Sequence, residues 1–224
     1  MKFVQESSMI FLYVTLLLQG LLTTTMIWLV SALLSALIGT SLGIFGCRQL
    51  GSMTIRLLVA CYVYLFRGVP VYVQLLIVYF VIPDVFNINL PAWLAAVFAL
   101  GLCSAAYLTE IVRAGMNSVG AGQWDACLVL GYSKIDALRY VIMPQMIRGI
   151  YPALINEFES LLKSTALVSV IGVLDMTKVA SNIVARTMDP LPVYGIVACF
   201  YLLLSAFLNG VSKVIEWRMV SCLK

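Results

Sequence analysis

The chain has 224 residues, 62% of them hydrophobic and 11% charged, with a mean hydropathy of +1.04. A soluble domain carries about 25% charged residues, so a water-exposed globular surface is excluded, and a net charge of +4 is too weak a balance for a nucleic-acid partner. The absence of His removes His-based acid–base catalysis, Ser-His triads and His-containing zinc sites.

Charge-free runs, measured against the ~20 apolar residues that cross a bilayer, predict an all-α integral membrane protein of about five transmembrane helices. They form a single transmembrane domain over 1–224. The first span is expected at 20–45, within a run from Ser7 to Cys47 that holds no charged residue. An entry segment at 9–19 is expected along the interface. The apolar run passes well beyond the ~7–15 residues of a signal-peptide core and shows no clear cleavage site, so it reads as a span. Ser31, Ser35, Gly39 and Gly43 recur at four-residue spacing, which predicts close helix packing.

The second span, 57–82, is interrupted by Arg67-Gly68-Val69-Pro70 and also carries Gln74. An Arg at the bilayer centre costs about 2.5–3.5 kcal/mol. Arg67 therefore either lines a pathway or pairs with an acidic partner near the helix break, or else makes a structural pair or snorkels. The third span is expected at 93–111, with Glu110 and Arg113 forming a local pair at its end.

The stretch 113–149 is nearly forty residues long and rich in helix formers and apolar residues. It predicts short amphipathic helices on the cytosolic face. A short helix is expected from Asp125 to Leu130, with Asp125 at the positive end of its dipole. Gly131 supplies the stop, with a positive φ. Ser133 is the expected N-cap of the next helix, with Asp136 in its first turn, and Pro144 interrupts or begins the helix that enters the fourth span.

The fourth span, 150–173, contains Glu157, Glu159 and Lys163. Glu159 and Lys163 stand four apart in the favourable order, so an intrahelical pair competes with a pathway role for these charges. Asp175 is expected at the outer mouth, and the fifth span covers 193–211. Arg48, Arg56, Arg113, Lys134, Arg139, Arg148, Lys213, Arg218 and Lys224 fall on one side, against Lys2, Lys178 and Arg186 on the other. That asymmetry predicts an outside N-terminus and a cytosolic C-terminus. The six cysteines include no close pair and predict no disulfide framework; all but Cys222 fall in apolar or cytosol-facing segments.

Asp125-Ala126-Cys127, Gly131, Val141 and Met143-Pro144 stand at the spacing of the Glu-Ala-Ala loop of bacterial ABC importer permeases, which this stretch resembles. Four conservative departures (Asp for Glu, Cys for Ala, Val for Ile, Met for Leu) leave the spacing intact. Phe66-Arg67-Gly68-Val69-Pro70 through Gln74 is similar to a segment of the polar amino-acid-uptake branch. So are Tyr107 to Gly115 and the stretch from Asn156 to Gly172. Together these cover most of the chain.

The resemblance implies a type I importer permease in the bacterial inner membrane, carrying polar or basic amino acids of the arginine or glutamine type. It implies that Trp124, Asp125, Ala126, Cys127, Gly131 and Pro144 belong to the surface that couples to an ATPase. Arg67, Gln74, Glu157, Glu159 and Lys163 are the candidate pathway residues. The implied partners are two copies of an ATP-binding subunit, a periplasmic or lipid-anchored amino-acid-binding protein, a second permease chain (identical or related) and membrane lipid. The chain itself carries no Gly-x-x-x-x-Gly-Lys-Ser/Thr phosphate loop, so ATP is expected on the partner, and neither a cofactor nor a metal is expected here. The competing expectation is a secondary transporter or exporter driven by an ion gradient. That class usually carries inverted repeats, and no internal repeat is visible.

Overall fold

The computed structural model describes the backbone of residues 2–221 and the side chains of residues 13–218. Cys222, Lys224 and the side chain of Lys2, which entered the readings above, lie outside the described residues. Within these limits the protein is helical almost throughout and has no strand.

Helix α1 runs unbroken from Lys2 to Phe45. The segment 9–19 is therefore coaxial with the first span, which corrects the expected separate interfacial element. No Pro precedes Pro70 to interrupt it. One face of α1 is buried at helical spacing through Leu17, Gly20, Thr24, Ile27, Ser31, Ser35, Gly39 and Gly43. Its later part, with Ser35, Gly39 and Gly43, lies on α5 (Ala92–Ser118), the central helix of the bundle, in the most extensive helix–helix contact of the molecule, while Leu17, Gly20 and Thr24 lie against Met176. A Cβ added to Gly39 or to Gly43 would stand 2.6 Å from the Cβ of Leu108 or of Val112 respectively. The small-residue spacing thus reports backbone-close packing, as expected.

The second span is two arms. Helix α2 (Met53–Gly68) ends at the break, and α3 (Val71–Leu76), a π-helical turn (Ile77–Val81) and α4 (Ile82–Phe86) follow. The two arms, Met53–Gly68 and Val71–Phe86, meet at 99°. Pro70 lacks the N–H that would continue α2, and its ring drives Val69 into an extended conformation, φ −100° and ψ 132°. The interruption read from the sequence is therefore an elbow.

After α5 come α6 (Ala121–Val129), α7 (Lys134–Ala137), a second π-helical turn (Leu138–Ile142), α8 (Met143–Ser164) and a 3₁₀ stretch (Thr165–Ile171). Both π turns end two residues before a proline, Pro83 in one case and Pro144 in the other. A proline ring crowds the carbonyl four residues back, and the wider turn relieves that crowding without ending the helix. Helix α9 (Met176–Thr187) and α10 (Pro190–Ser221) complete the chain, with α9 bent by 50° from the preceding helical run.

Three helices, over Tyr13–Phe45, Ala92–Ser118 and Pro190–Arg218, are long and apolar enough to cross a membrane, and five cross if each bent pair counts as one. Helix α9 was not expected. Asp175, expected at the outer mouth, is fully buried as its N-cap, accepting from the N–H groups of Thr177 at 3.0 Å and Lys178 at 2.9 Å. Thr24 of α1 accepts from the N–H of Met176 beside it at 3.1 Å, and Gly20 lets the two backbones meet.

A candidate coupling knob and translocation cavity

Helices α6 and α7 form a small knob at the end of the bundle where α1 turns into α2. Gly120 opens α6, four residues earlier than the sequence suggested, so Asp125 lies mid-helix and exposed instead of in the first turn. Gly131 adopts φ +82°, and the N–H of Tyr132 returns to the carbonyl of Cys127 at 3.0 Å, closing the helix with a left-handed residue. Ser133 then caps α7, accepting from the N–H of Asp136 at 3.2 Å. The chain thus makes two tight helical ends within a few residues, which fixes how the knob projects.

The knob has two faces. Trp124 and Cys127 are buried in a cluster with Met116, Ala137, Ile142 and Met146, so they bind α6 to the bundle and present nothing outward. Asp125, Ala126, Gly131 and Pro144 are exposed. The outer side chains are apolar: Val129 is 87% exposed, Leu130 75% and Ile135 73%, and none of the three is among the coupling residues that the resemblance implies. Val129 and Leu130 stand at the end of α6 and Ile135 in α7, so the outward side of the knob is apolar.

A second feature lies where the elbow meets α5 and α8. A cavity of about 420 Å³ is lined by Arg67, Gly68, Val69, Pro70 and Val71 from the elbow, by Leu100, Cys103, Ser104 and Tyr107 from α5, and by Glu157, Ser160, Leu161 and Ser164 from α8. Both helices contribute residues at offsets of three, four and seven, one face each. Ser35 donates to Ser104 at 3.0 Å, and Ser104 donates to Glu157 at 2.7 Å, so a chain of hydroxyls from α1 through α5 holds the carboxylate in place. The guanidinium of Arg67 lies 4.9 Å from the centre of the Tyr107 ring. Its Nη1 is 3.9 Å from Glu110, whose carboxylate is also gripped by Arg113 through contacts of 3.0 and 2.7 Å.

Of the candidate pathway residues, then, Arg67 and Glu157 face one cavity, and the others do not. Gln74 is buried off its wall. Its amide donates to the carbonyls of Phe66 and Val69, both at 2.7 Å, and so satisfies the open end of α2 at the elbow. Glu159 and Lys163 pair along α8 at 2.8 Å, and Asn209 of α10 donates to Glu159 at 3.4 Å. They lie on the α10 side of the helix, as the intrahelical-pair reading has it. Ser104, Ser160 and Ser164 were missed, although their helical offsets from Tyr107 and Glu157 are present in the sequence.

The chain is similar to known proteins over nearly all of its length. A family described as binding-protein-dependent transport system inner membrane component matches residues 35–221. An arginine transport system permease protein of Bacillus subtilis is 34% identical over 92% of this chain and 93% of its own length. A putative glutamine transport system permease protein of Rickettsia typhi is 32% identical, covering 91% and 93%. A chain in the crystal structure of an amino acid ABC transporter with histidines superposes with a TM-score of 0.84 at 36% identity, over 94% of this chain and 97% of that one. An inward-facing methionine ABC transporter chain at 17% identity shares the fold, with a TM-score of 0.80.

Proposed function

The chain belongs to the family of binding-protein-dependent transport system inner membrane components, and from that membership we propose how it moves an amino acid. It is a multi-pass inner-membrane permease subunit of an amino-acid ABC importer, and its partners include an ATP-binding subunit and a solute-binding protein. The cavity between the elbow, α5 and α8 is the substrate's route. The observation that carries this reading is that Arg67 and Glu157 line the same cavity of about 420 Å³ with opposite charge. An amino acid carries a carboxylate and an ammonium group, and a pair of opposite charges facing one space complements both. The serines of α5 and α8 offer further hydrogen bonds to a polar side chain, which supports polar or basic substrates of the glutamine or arginine type.

Energy enters at the knob. The exposed Val129, Leu130 and Ile135 dock on the ATPase, and the buried Trp124 and Cys127 make that docking rigid, so movement of the ATPase is passed to α5 and α8. The knob then faces the cytosol and the N-terminus lies outside. Two ATPase copies act on two permease chains, either two copies of this one or this one with a related chain. ATP stays on the ATPase.

Proteoliposomes holding the permease, its ATPase and its binding protein test the proposal, with labelled arginine and glutamine outside and ATP supplied to the ATPase face. Uptake should require ATP and be competed by polar or basic amino acids. Sustained uphill uptake under a proton or sodium gradient, with no ATPase present, would replace this reading with the ion-driven carrier.

A further inference from the structure

A second cavity, of about 310 Å³, opens at the knob end of the bundle between the α1–α2 turn and α5. Arg48, Arg56 and Arg113 line it, with Glu110 the acidic residue among its walls. Glu110 is already held by Arg113 through two short contacts, so its charge is largely neutralised. Arg48 makes no hydrogen bond or ion pair with the described residues. Arg56 reaches only the sulfur of Met53, at 3.0 Å, and its Nε is buried without an acceptor. A buried guanidinium N–H with no acceptor is costly. The first turn of α2, a sixteen-residue helix, opens at the same place and adds the positive end of its dipole. Apart from Glu110, no described acidic residue lines the cavity, and Arg48 and Arg56 have no anionic partner among the described residues.

The neighbouring surface says which kind. Leu57 and Leu58 on α2 are 65% and 66% exposed, and Tyr64 and Leu65 continue that exposure along the helix away from the cavity. A cationic seat at the end of an apolar, outward-facing helix matches a molecule with a phosphate head and hydrocarbon tails. We propose that the cavity walled by Arg48, Arg56 and Arg113 seats the phosphate of an anionic phospholipid, whose acyl chains run along the exposed face of α2. The lipid phosphate pairs with the guanidinium groups that Arg48 and Arg56 present to the cavity and fills the notch between the α1–α2 turn and α5. Because Arg113 also holds Glu110, and Glu110 touches Arg67 at the substrate cavity, the seated lipid stabilises the arrangement of charges at that cavity's edge.

The test presents the full chain with mixed micelles of equal phosphatidylglycerol and phosphatidylcholine and counts retained lipid by native mass spectrometry. Phosphatidylglycerol should be enriched. Each Arg near the seat contributes about a fivefold preference, so R48Q or R56Q should lower the enrichment about fivefold and the double variant roughly 25-fold. The double variant R48K/R56K keeps both charges and should keep most of the preference, which separates charge from folding. Equal retention of the two lipids by the unaltered chain, or undiminished enrichment in R48Q and R56Q, overturns the proposal. So does loss of enrichment on adding inorganic phosphate at millimolar concentration, because a free anion would then be the occupant.

Discussion

Ser104 on α5 donates a 2.7 Å hydrogen bond to Glu157 on α8, and Ser35 on α1 donates to Ser104 in turn. Three helices are thereby tied to one carboxylate at the wall of the cavity proposed as the substrate's route. A hydrogen bond to a charged group contributes about 1.5–3 kcal/mol. Glu157→Gln should therefore raise the concentration of a cationic amino acid needed for half-maximal uptake by roughly tenfold or more. Ser104→Ala should give a smaller rise of the same sign. Unchanged uptake curves for both variants would remove Glu157 from the route.

Val129→Asp and Leu130→Asp test the knob's outer face. Both side chains are largely exposed, so the permease should insert and melt as before. Co-purification of the ATPase should fall sharply, since a charge would enter an apolar contact. Trp124→Ala should behave differently, because emptying a buried indole site costs about 3–5 kcal/mol. Its signature is a lowered melting temperature in detergent, and an unaltered melt would show that Trp124 does not anchor the knob.

Gly131 stands at φ +82°, a conformation that costs a branched side chain about 1–2 kcal/mol. Gly131→Val should shift the angle between α6 and α7 and reduce transport per ATP hydrolysed. Gly131→Asn tolerates the left-handed region and should stay close to the original. The ratio of amino acid moved to phosphate released is the measurement, and equal ratios in both variants would contradict the role given to this turn.

Gly39→Ala places a methyl group 2.6 Å from the Cβ of Leu108 and 2.9 Å from the carbonyl of Ala105. Overpacking of this kind destabilises by about 1–3 kcal/mol. Gly195→Ala, which meets open space, serves as the control. Thermal unfolding in detergent should separate the two, with only the first shifted downward.

Three crossings are legible in the sequence because a bilayer core sets a minimum length of charge-free chain, and the runs around Trp28, Leu100 and Leu203 meet it. The small-residue stripe of α1 is legible for a related reason, since four-residue spacing returns to one helix face. The elbow is visible as Gly68 and Pro70, yet its angle depends on Gln74, whose amide closes the end of α2 from the far side of the bend. A polar residue in an apolar run gives no sign of whether it faces a pathway or a backbone carbonyl. Helix α9 escaped notice because Lys178 and Arg186 break its hydropathy, and its start depends on Asp175 being enclosed by Thr24 and Gly20, residues some 150 positions away. Trp124 and Cys127 were misread for a similar reason. Motif spacing places residues on a helix but does not say which side of it meets the bundle.

The seam between α1 and α5 presses Gly39 and Gly43 against Leu108 and Val112, and Gly101 against Leu34, at separations that leave no slack for a shift. The two helices are therefore expected to travel as one strut, and any tilt in the proposed transport cycle has to be taken up elsewhere. The elbow at Val69 and the left-handed joint at Gly172, where the 3₁₀ stretch ends, are two places in the chain shaped like pivots.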